Sequence, residues 1–234
     1  MKTETLHHIG EFEIKTIMSG APWKENCYLV RHLLTGEQAV IDPGADAEII
    51  VRAVLANSSK LDHIWLTHAH HDHIVSVAGL CRHFGISCRI HKADQRLLRH
   101  GPMYALRFAG LQIEAPTDVQ LFETPCQFQI GGHRVEIIHT PGHTSGSVCY
   151  ALEGFVFTGD TLIYEHVGRT DLPGGDDTLI KASVSRLLEN LPVETVLFGG
   201  HGRPWTVTQS YKWWQTVRNE PPQVVSFEKN DTVS

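Results

Sequence analysis

The chain has 234 residues, 41% of them hydrophobic, with 20 Lys and Arg against 26 Asp and Glu for a formal net charge of -6. That length suits one large domain with a substantial core, and the acidic balance, without any run of Lys or Arg, excludes a general nucleic-acid or membrane-surface binder because nothing neutralises phosphates. The five cysteines form no CxxC pair, residues 1–11 are polar and no apolar run is long enough to span a bilayer, so a cytoplasmic protein without a disulfide framework or signal peptide is expected.

In chain order, residues 12–18 alternate weakly and are rich in Ile, which reads as a strand. Residues 27–31 and 38–41 read as two more strands, joined through Thr35-Gly36 into a hairpin. Residues 46–56 carry Ile49, Ile50, Ala53 and Val54 at helical spacing, with Asp46 as cap. A short apolar strand over 63–66, a histidine-rich turn, a helix over 75–84 and a strand over 87–91 continue the alternation, which favours an α/β fold. The stretch 101–122 is the least regular. Within it Tyr104, Phe108 and Leu111 recur at helical spacing, so residues 102–111 read as an amphipathic helix packed on the body of the protein; a lid over an apolar entrance is the other reading. Strands follow at 134–139, 147–152 and 155–158. A helix over 178–191 precedes a strand at 195–198. A last helix covers 209–218, where Trp213 and Trp214 are its anchors or a homodimer contact. Residues 1–219 are read as a single domain, and the polar stretch 220–234, with its Pro pair, as a flexible tail.

Sixteen histidines is a high count for this length. The strongest signal is Thr67-His68-Ala69-His70-His71-Asp72-His73, directly after a short apolar strand. Imidazole and carboxylate suit zinc, iron or manganese, and a loop at a strand end can aim several side chains at one point. His68 and His70 can clasp one ion while Asp72 and His73 turn to a second, with the His71 side chain pointing away. Four ligands cannot complete two coordination shells, so distant ones must close them. His143, Asp160 and His201 each follow Gly near a strand end, where the backbone can approach closely and where α/β sites are built. His63, His83, His91 and His133 lack such context and read as polar surface residues. Thr67, Thr144 and Asp42 are candidates to orient the ligands.

These residues resemble the metallo-β-lactamase superfamily from about residue 26 to residue 206. Gly168-Arg169-Thr170-Asp171-Leu172-Pro173-Gly174-Gly175-Asp176, Glu25-Asn26-Cys27-Tyr28 and Ile41-Asp42-Pro43-Gly44 are similar to small bacterial glyoxalase-II-like proteins, which cleave S-lactoylglutathione. The resemblance implies an αββα four-layer sandwich and two divalent metal ions, zinc first, with iron or manganese as alternatives. It implies that His68, His70 and His143 bind one ion, that Asp72, His73 and His201 bind the other, and that Asp160 bridges both. An acid at the bridge sets the chain apart from true β-lactamases. Two departures bear on glutathione as the substrate handle. The stretch after His201 is too short for the C-terminal helical domain of larger glyoxalase II enzymes, and Arg169 and Asp171 stand where a Lys and a Tyr hold glutathione.

Two ions about 3.5–4 Å apart can hold an ionised water between them, and that bridging hydroxide is expected to attack a small thioester or ester, with Asp72 orienting it. Arg169, Tyr164 and His166 are the candidate substrate contacts for this small-molecule hydrolase. A lactonase, a phosphodiesterase, or a persulfide dioxygenase with one iron at His68, His143 and Asp160 are the competing expectations; the full second ligand set argues for hydrolysis.

Overall fold

The computed structural model describes residues 5–20 and 23–219, so the tail expected at 220–234 lies outside the described residues. The first sheet takes its strands in chain order: β1 (Thr5–Ile9), β2 (Phe12–Met18), β3 (Asn26–His32), β4 (Gln38–Ile41), β5 (His63–Trp65), β6 (Cys88–His91) and β7 (Val119–Phe122). Its first four strands are antiparallel. From β4 onward the pairs are parallel, and a parallel pair needs a crossover. Helices α1 (Ala47–Leu55), α2 (Val77–Phe84) and α3 (Gln95–Ala109) make those crossovers.

The second sheet holds β8 (Gln127–Ile130), β9 (His133–His139), β10 (Val148–Leu152), β11 (Phe155–Gly159), β12 (Val196–Gly199) and β13 (Trp205–Thr206), in the order β13-β12-β11-β10-β9-β8. Its parallel pair, β11 with β12, is bridged by α4 (Asp177–Asn190), and α5 (Val207–Val217) follows β13.

Side-chain alternation builds the layers. On β3, Tyr28 and Val30 enter a core between the sheets with Trp65, Tyr150, Phe157 and Phe198, while Cys27 and Leu29 face Ile50, Val54 and Leu80 on the outer side. A strand covered on both faces is apolar throughout rather than alternating. On the second sheet, Cys149, Val156 and Leu197 meet Ile180, Val184, Leu187 and Trp214 of α4 and α5. The result is the expected helix–sheet–sheet–helix sandwich. Asp46 caps α1 through a hydrogen bond from the Glu48 amide. Trp214 is buried and donates its indole N–H to Ser185 Oγ at 3.0 Å, so it anchors α5.

Four strands escape the sequence reading: β1, β7, β8 and β13. The first three bury little, and β1 and β7 are partly exposed along their length; β13 has two residues. The helix expected at 102–111 is corrected. It runs from Gln95 to Ala109 and packs through Leu98, Gly101 and Ala105, whereas Phe108 and Leu111 are exposed. Gly101 sets this contact, because a Cβ there would collide with Ile74 in the histidine-rich turn.

Candidate metal centre

The seven proposed ligands gather at one end of the sandwich. After β5 the chain runs extended through His68 to His70, then makes one 3-10 turn over His71–His73. The turn separates His68 and His70 from Asp72 and His73. His143 follows β9, Asp160 follows Gly159 at the end of β11, and His201 follows β12. One ligand atom each from His68, His70 and His143 lies within 4.8 Å of the others, and so does one each from Asp72, His73 and His201. Asp160 stands between the triads: Oδ2 is 3.4 Å from His143 Nε2 and 3.6 Å from His201 Nε2, and Oδ1 is 3.5 Å from His73 Nε2.

Hydrogen bonds on the far side of the rings decide which nitrogens face inward. His143 Nδ1–H donates to the Arg169 carbonyl at 2.7 Å, and His201 Nδ1–H to the Trp23 carbonyl at 2.9 Å. Carbonyls only accept, so both rings present a bare Nε2 to the cluster when neutral. Asp42 works the same way. It accepts from the Thr67 amide at 2.7 Å, the Thr67 hydroxyl at 2.5 Å and His73 Nδ1 at 3.1 Å. With its proton given to Asp42, Thr67 Oγ1 accepts from His68 Nδ1–H at 3.0 Å. His68 Nε2 and His143 Nε2 therefore face each other at 3.2 Å with lone pairs, and His70 Nδ1 approaches His143 Nε2 at 2.7 Å. Lone pairs converging at such distances call for a cation, and edges of about 3.3 Å are what zinc bound at about 2.0–2.1 Å produces. His73 Nε2 and Asp160 Oδ1 are buried and make no hydrogen bond within the protein. The donor set fits two divalent ions.

Electrostatics agree. Burial, followed by neighbouring imidazoles, lowers His68 well below the ordinary histidine range, and burial with His143 does the same for His70, so both keep lone pairs. Burial would raise Asp160 and Asp72, but His201 and His73 hold both carboxyls well below their usual range. Burial would lower His201, yet Asp160 and Asp72 push it up to about 10. Without metal, imidazolium is the counter-cation for two buried carboxylates.

The partners holding this geometry were only partly legible. Asp42 and Thr67 act as expected, with Asp42 in the left-handed region at φ 48°. Thr144 bonds no ligand; it donates to Asp94 at 2.8 Å. Asp94, missed in the sequence, is buried and also accepts from the Ala69 and Gly146 amides, stapling the His68–His70 segment to the His143 loop. Its only sequence signal is an acid just past a strand. Asn26 and Tyr28 reach across to the second sheet and donate to the Gly199 carbonyl, Asn26 also to that of Gly202, fixing the turn that carries His201. Gly200 in that turn admits no side chain, since a Cβ would strike Asp160 Oδ1 and the His73 ring.

A cavity of about 390 Å³ opens over the cluster, walled by Trp23, Ile163, Tyr164, His166, Val167 and Leu172. Tyr164 and His166 thus face it. Arg169 lines it too, but its guanidinium already grips Asp171, with Nε–Oδ1 at 2.7 Å and Nη2–Oδ2 at 2.6 Å. His71 joins neither triad; it packs between Trp23 and Phe108. Of the histidines read as surface residues, His91 departs from that assignment, while the His133 side chain stays 36% exposed. His91 is buried and stacks on His139. His133 shares Glu11 Oε2 with His32, at 2.9 and 3.2 Å, at the opposite end of β3.

The profile of the metallo-beta-lactamase superfamily matches residues 20–201. The chain is 34% identical over 181 residues to the hydroxyacylglutathione hydrolase GloC of Haemophilus influenzae, covering 73% of this chain and 82% of that one. Among solved structures, the BLEG-1 B3 metallo-beta-lactamase superposes with a TM-score of 0.79 at 33% identity, over 85% of this chain and 96% of its own. TTHA1623, crystallised in a di-iron-bound form, superposes with a TM-score of 0.76 at 34% identity, over 84% and 96%.

Proposed function

The chain belongs to the metallo-beta-lactamase superfamily, and from that premise we propose that it is a dinuclear metal-dependent hydrolase that cleaves a small thioester of the hydroxyacyl-thiol type. The observation that carries the reading is Asp160, whose carboxylate stands between the two triads, with Oδ2 facing His143 of one and His201 of the other and Oδ1 facing His73. His68, His70 and His143 would hold one ion and Asp72, His73 and His201 the other, with Asp160 as a ligand between them. Two divalent ions bound there supply a water ionised near neutral pH and a Lewis acid for the carbonyl oxygen.

The chain's own residues do the rest. Asp42, Thr67 and the Arg169 and Trp23 carbonyls keep the imidazole lone pairs aimed inward, so the ligands need no reorganisation. Asp72, within the second triad, is placed to accept a hydrogen bond from the attacking water and orient it. The apolar wall of Ile163, Val167 and Leu172 excludes bulk water and suits a short acyl chain. Tyr164 presents its ring to this cavity, with Arg203 stacked over it at 4.2 Å.

The identity to a hydroxyacylglutathione hydrolase over most of both chains supports the thioester. A phosphodiester is disfavoured, because Arg169 is tied to Asp171 and Arg203 to Tyr164. β-Lactam cleavage is the second reading, favoured by the likeness to BLEG-1. The test is elemental analysis of purified protein together with turnover of S-lactoylglutathione, a simple lactone, a phosphodiester and a cephalosporin. Two metal equivalents and preference for the thioester are expected. A single equivalent, or preference for any other member of the panel, defeats the proposal.

A further inference from the structure

A second recess, about 590 Å³, lies between helix α3 and the loop at Pro173–Gly174. It is not isolated from the metal centre. A narrow apolar passage lined by Leu97, Tyr104, Phe108 and Leu172 begins at His70 and His71, which also line the cavity over the cluster. Leu97, Tyr104 and Pro173 are shared between the passage and the recess. The three hollows therefore lie in a row from the metals, past a narrow apolar throat of about 20 Å³, to a polar end.

The charge at that end is specific. Arg96 and His100 stand one helical turn apart on α3 and both line the recess. His100 Nδ1–H donates to the Arg96 carbonyl at 2.8 Å, which holds the imidazole beside the Arg96 backbone. Arg96 has no ion-pair partner among the described residues, in contrast to Arg169 and Asp171 in the same neighbourhood. The one carboxylate in the recess wall, Asp94, is buried and answered by the Ala69 and Gly146 amides and the Thr144 hydroxyl. The open end thus offers a guanidinium unpaired among the described residues, a group that pairs well with carboxylate or phosphate.

We propose that this groove is the leaving-group subsite: the methylene chain of a thiol passes between Tyr104 and Leu172, and its anionic end is held by Arg96. The inference rests on the thioester reading and adds to it the class of leaving group, a thiol whose tail ends in an anion. Cleavage breaks the acyl–sulfur bond, water supplies the oxygen of the released carboxylate, and the free thiol departs along the groove. The guanidinium assigned to the substrate from sequence, Arg169, is already occupied; Arg96 takes that place.

The test uses the metal-loaded full chain and its R96A and R96K variants. Three thioesters are compared: S-lactoylglutathione with carboxylates, a coenzyme A thioester with phosphates, and the uncharged S-acetyl-N-acetylcysteamine. In R96A the ratio of kcat/KM for the charged over the uncharged thioester is expected to fall about tenfold through KM, the scale of one charge-assisted hydrogen bond, and to recover largely in R96K. Which charged thioester responds identifies carboxylate or phosphate. In parallel, calorimetry measures binding of S-methylglutathione and free coenzyme A, neither of which is a thioester. About tenfold weaker binding of one of them to R96A supports the subsite whether or not any thioester is hydrolysed. An unchanged ratio together with unchanged binding overturns it, while absence of thioester turnover by the wild type overturns the functional reading alone.

Discussion

Two clusters of histidine and carboxylate sit at opposite ends of the same strand. At the start of β3, the seven-residue cluster surrounds Asp160. At its end, about 20 Å away along seven residues at roughly 3.3 Å each, His32 joins His133 and Glu11. The far trio, like each triad of the near cluster, brings its ligand atoms within 4.8 Å of one another. They differ in what becomes of the protons. At the far end both Nε2 atoms reach Glu11 Oε2, and no side-chain atom of the three residues is buried without a hydrogen bond; a hydrogen-bonded trio between the sheets is complete as it stands. At the near end, His73 Nε2 and Asp160 Oδ1 are orphaned and lone pairs face each other. Residue type does not make a metal site. Unspent acceptors do.

The comparison breaks most directly at Asp160. Asp160→Asn is expected to lose at least one metal equivalent and to lower turnover by more than the roughly 100-fold that loss of an outer partner can cost, read by elemental analysis and steady-state kinetics. Two equivalents with normal turnover would remove the bridging role. Asp42→Ala comes next, because it frees both His73 and Thr67; metal affinity measured by chelator competition should drop about 10–100-fold. Asn26→Ala acts at one more remove, through the turn carrying His201, and should cost roughly 10-fold in affinity for one equivalent only.

The smallest effects belong to the far cluster. Glu11→Gln should leave metal content and kcat/KM unchanged and lower the melting temperature slightly near neutral pH. Hydrogen bonds from His32 and His133 hold the Glu11 carboxyl below its ordinary value of 4.5. A depressed folded-state pKa contributes stability above the unfolded value and loses it as pH falls through the folded one. The melting-temperature gap between wild type and variant should therefore close as pH drops below about 4.5. A third metal equivalent that disappears in Glu11→Gln would erase the distinction between the two ends.

The family resemblance, the sandwich and the inventory of clustered side chains follow from local pattern. Glycine-flanked histidines and acids past short apolar strands are visible because strand ends and turns have their own chemistry. Interior strands such as β3 and β11 are legible because burial on both faces makes them apolar. The edges β1, β7 and β8 are not, because they bury little and borrow their order from a neighbouring strand. Helix α3 was misjudged for a related reason: Tyr104 and Phe108 keep helical spacing but face a cleft, and spacing alone cannot tell a core from a groove.

What only the tertiary structure decided is who meets whom across the chain. Arg169 is spent on Asp171, whereas Arg96 has no ion-pair partner among the described residues, although both are plain arginines in the sequence. Asp94 binds two site loops far apart in number, and Asn26 spans the two sheets to hold the turn on both sides of His201. Hydrogen bonds and ion pairs between distant segments depend on where strands end in space, and periodicity carries no information about that; the donors and acceptors are written in the chain, while their pairing is a property of the fold.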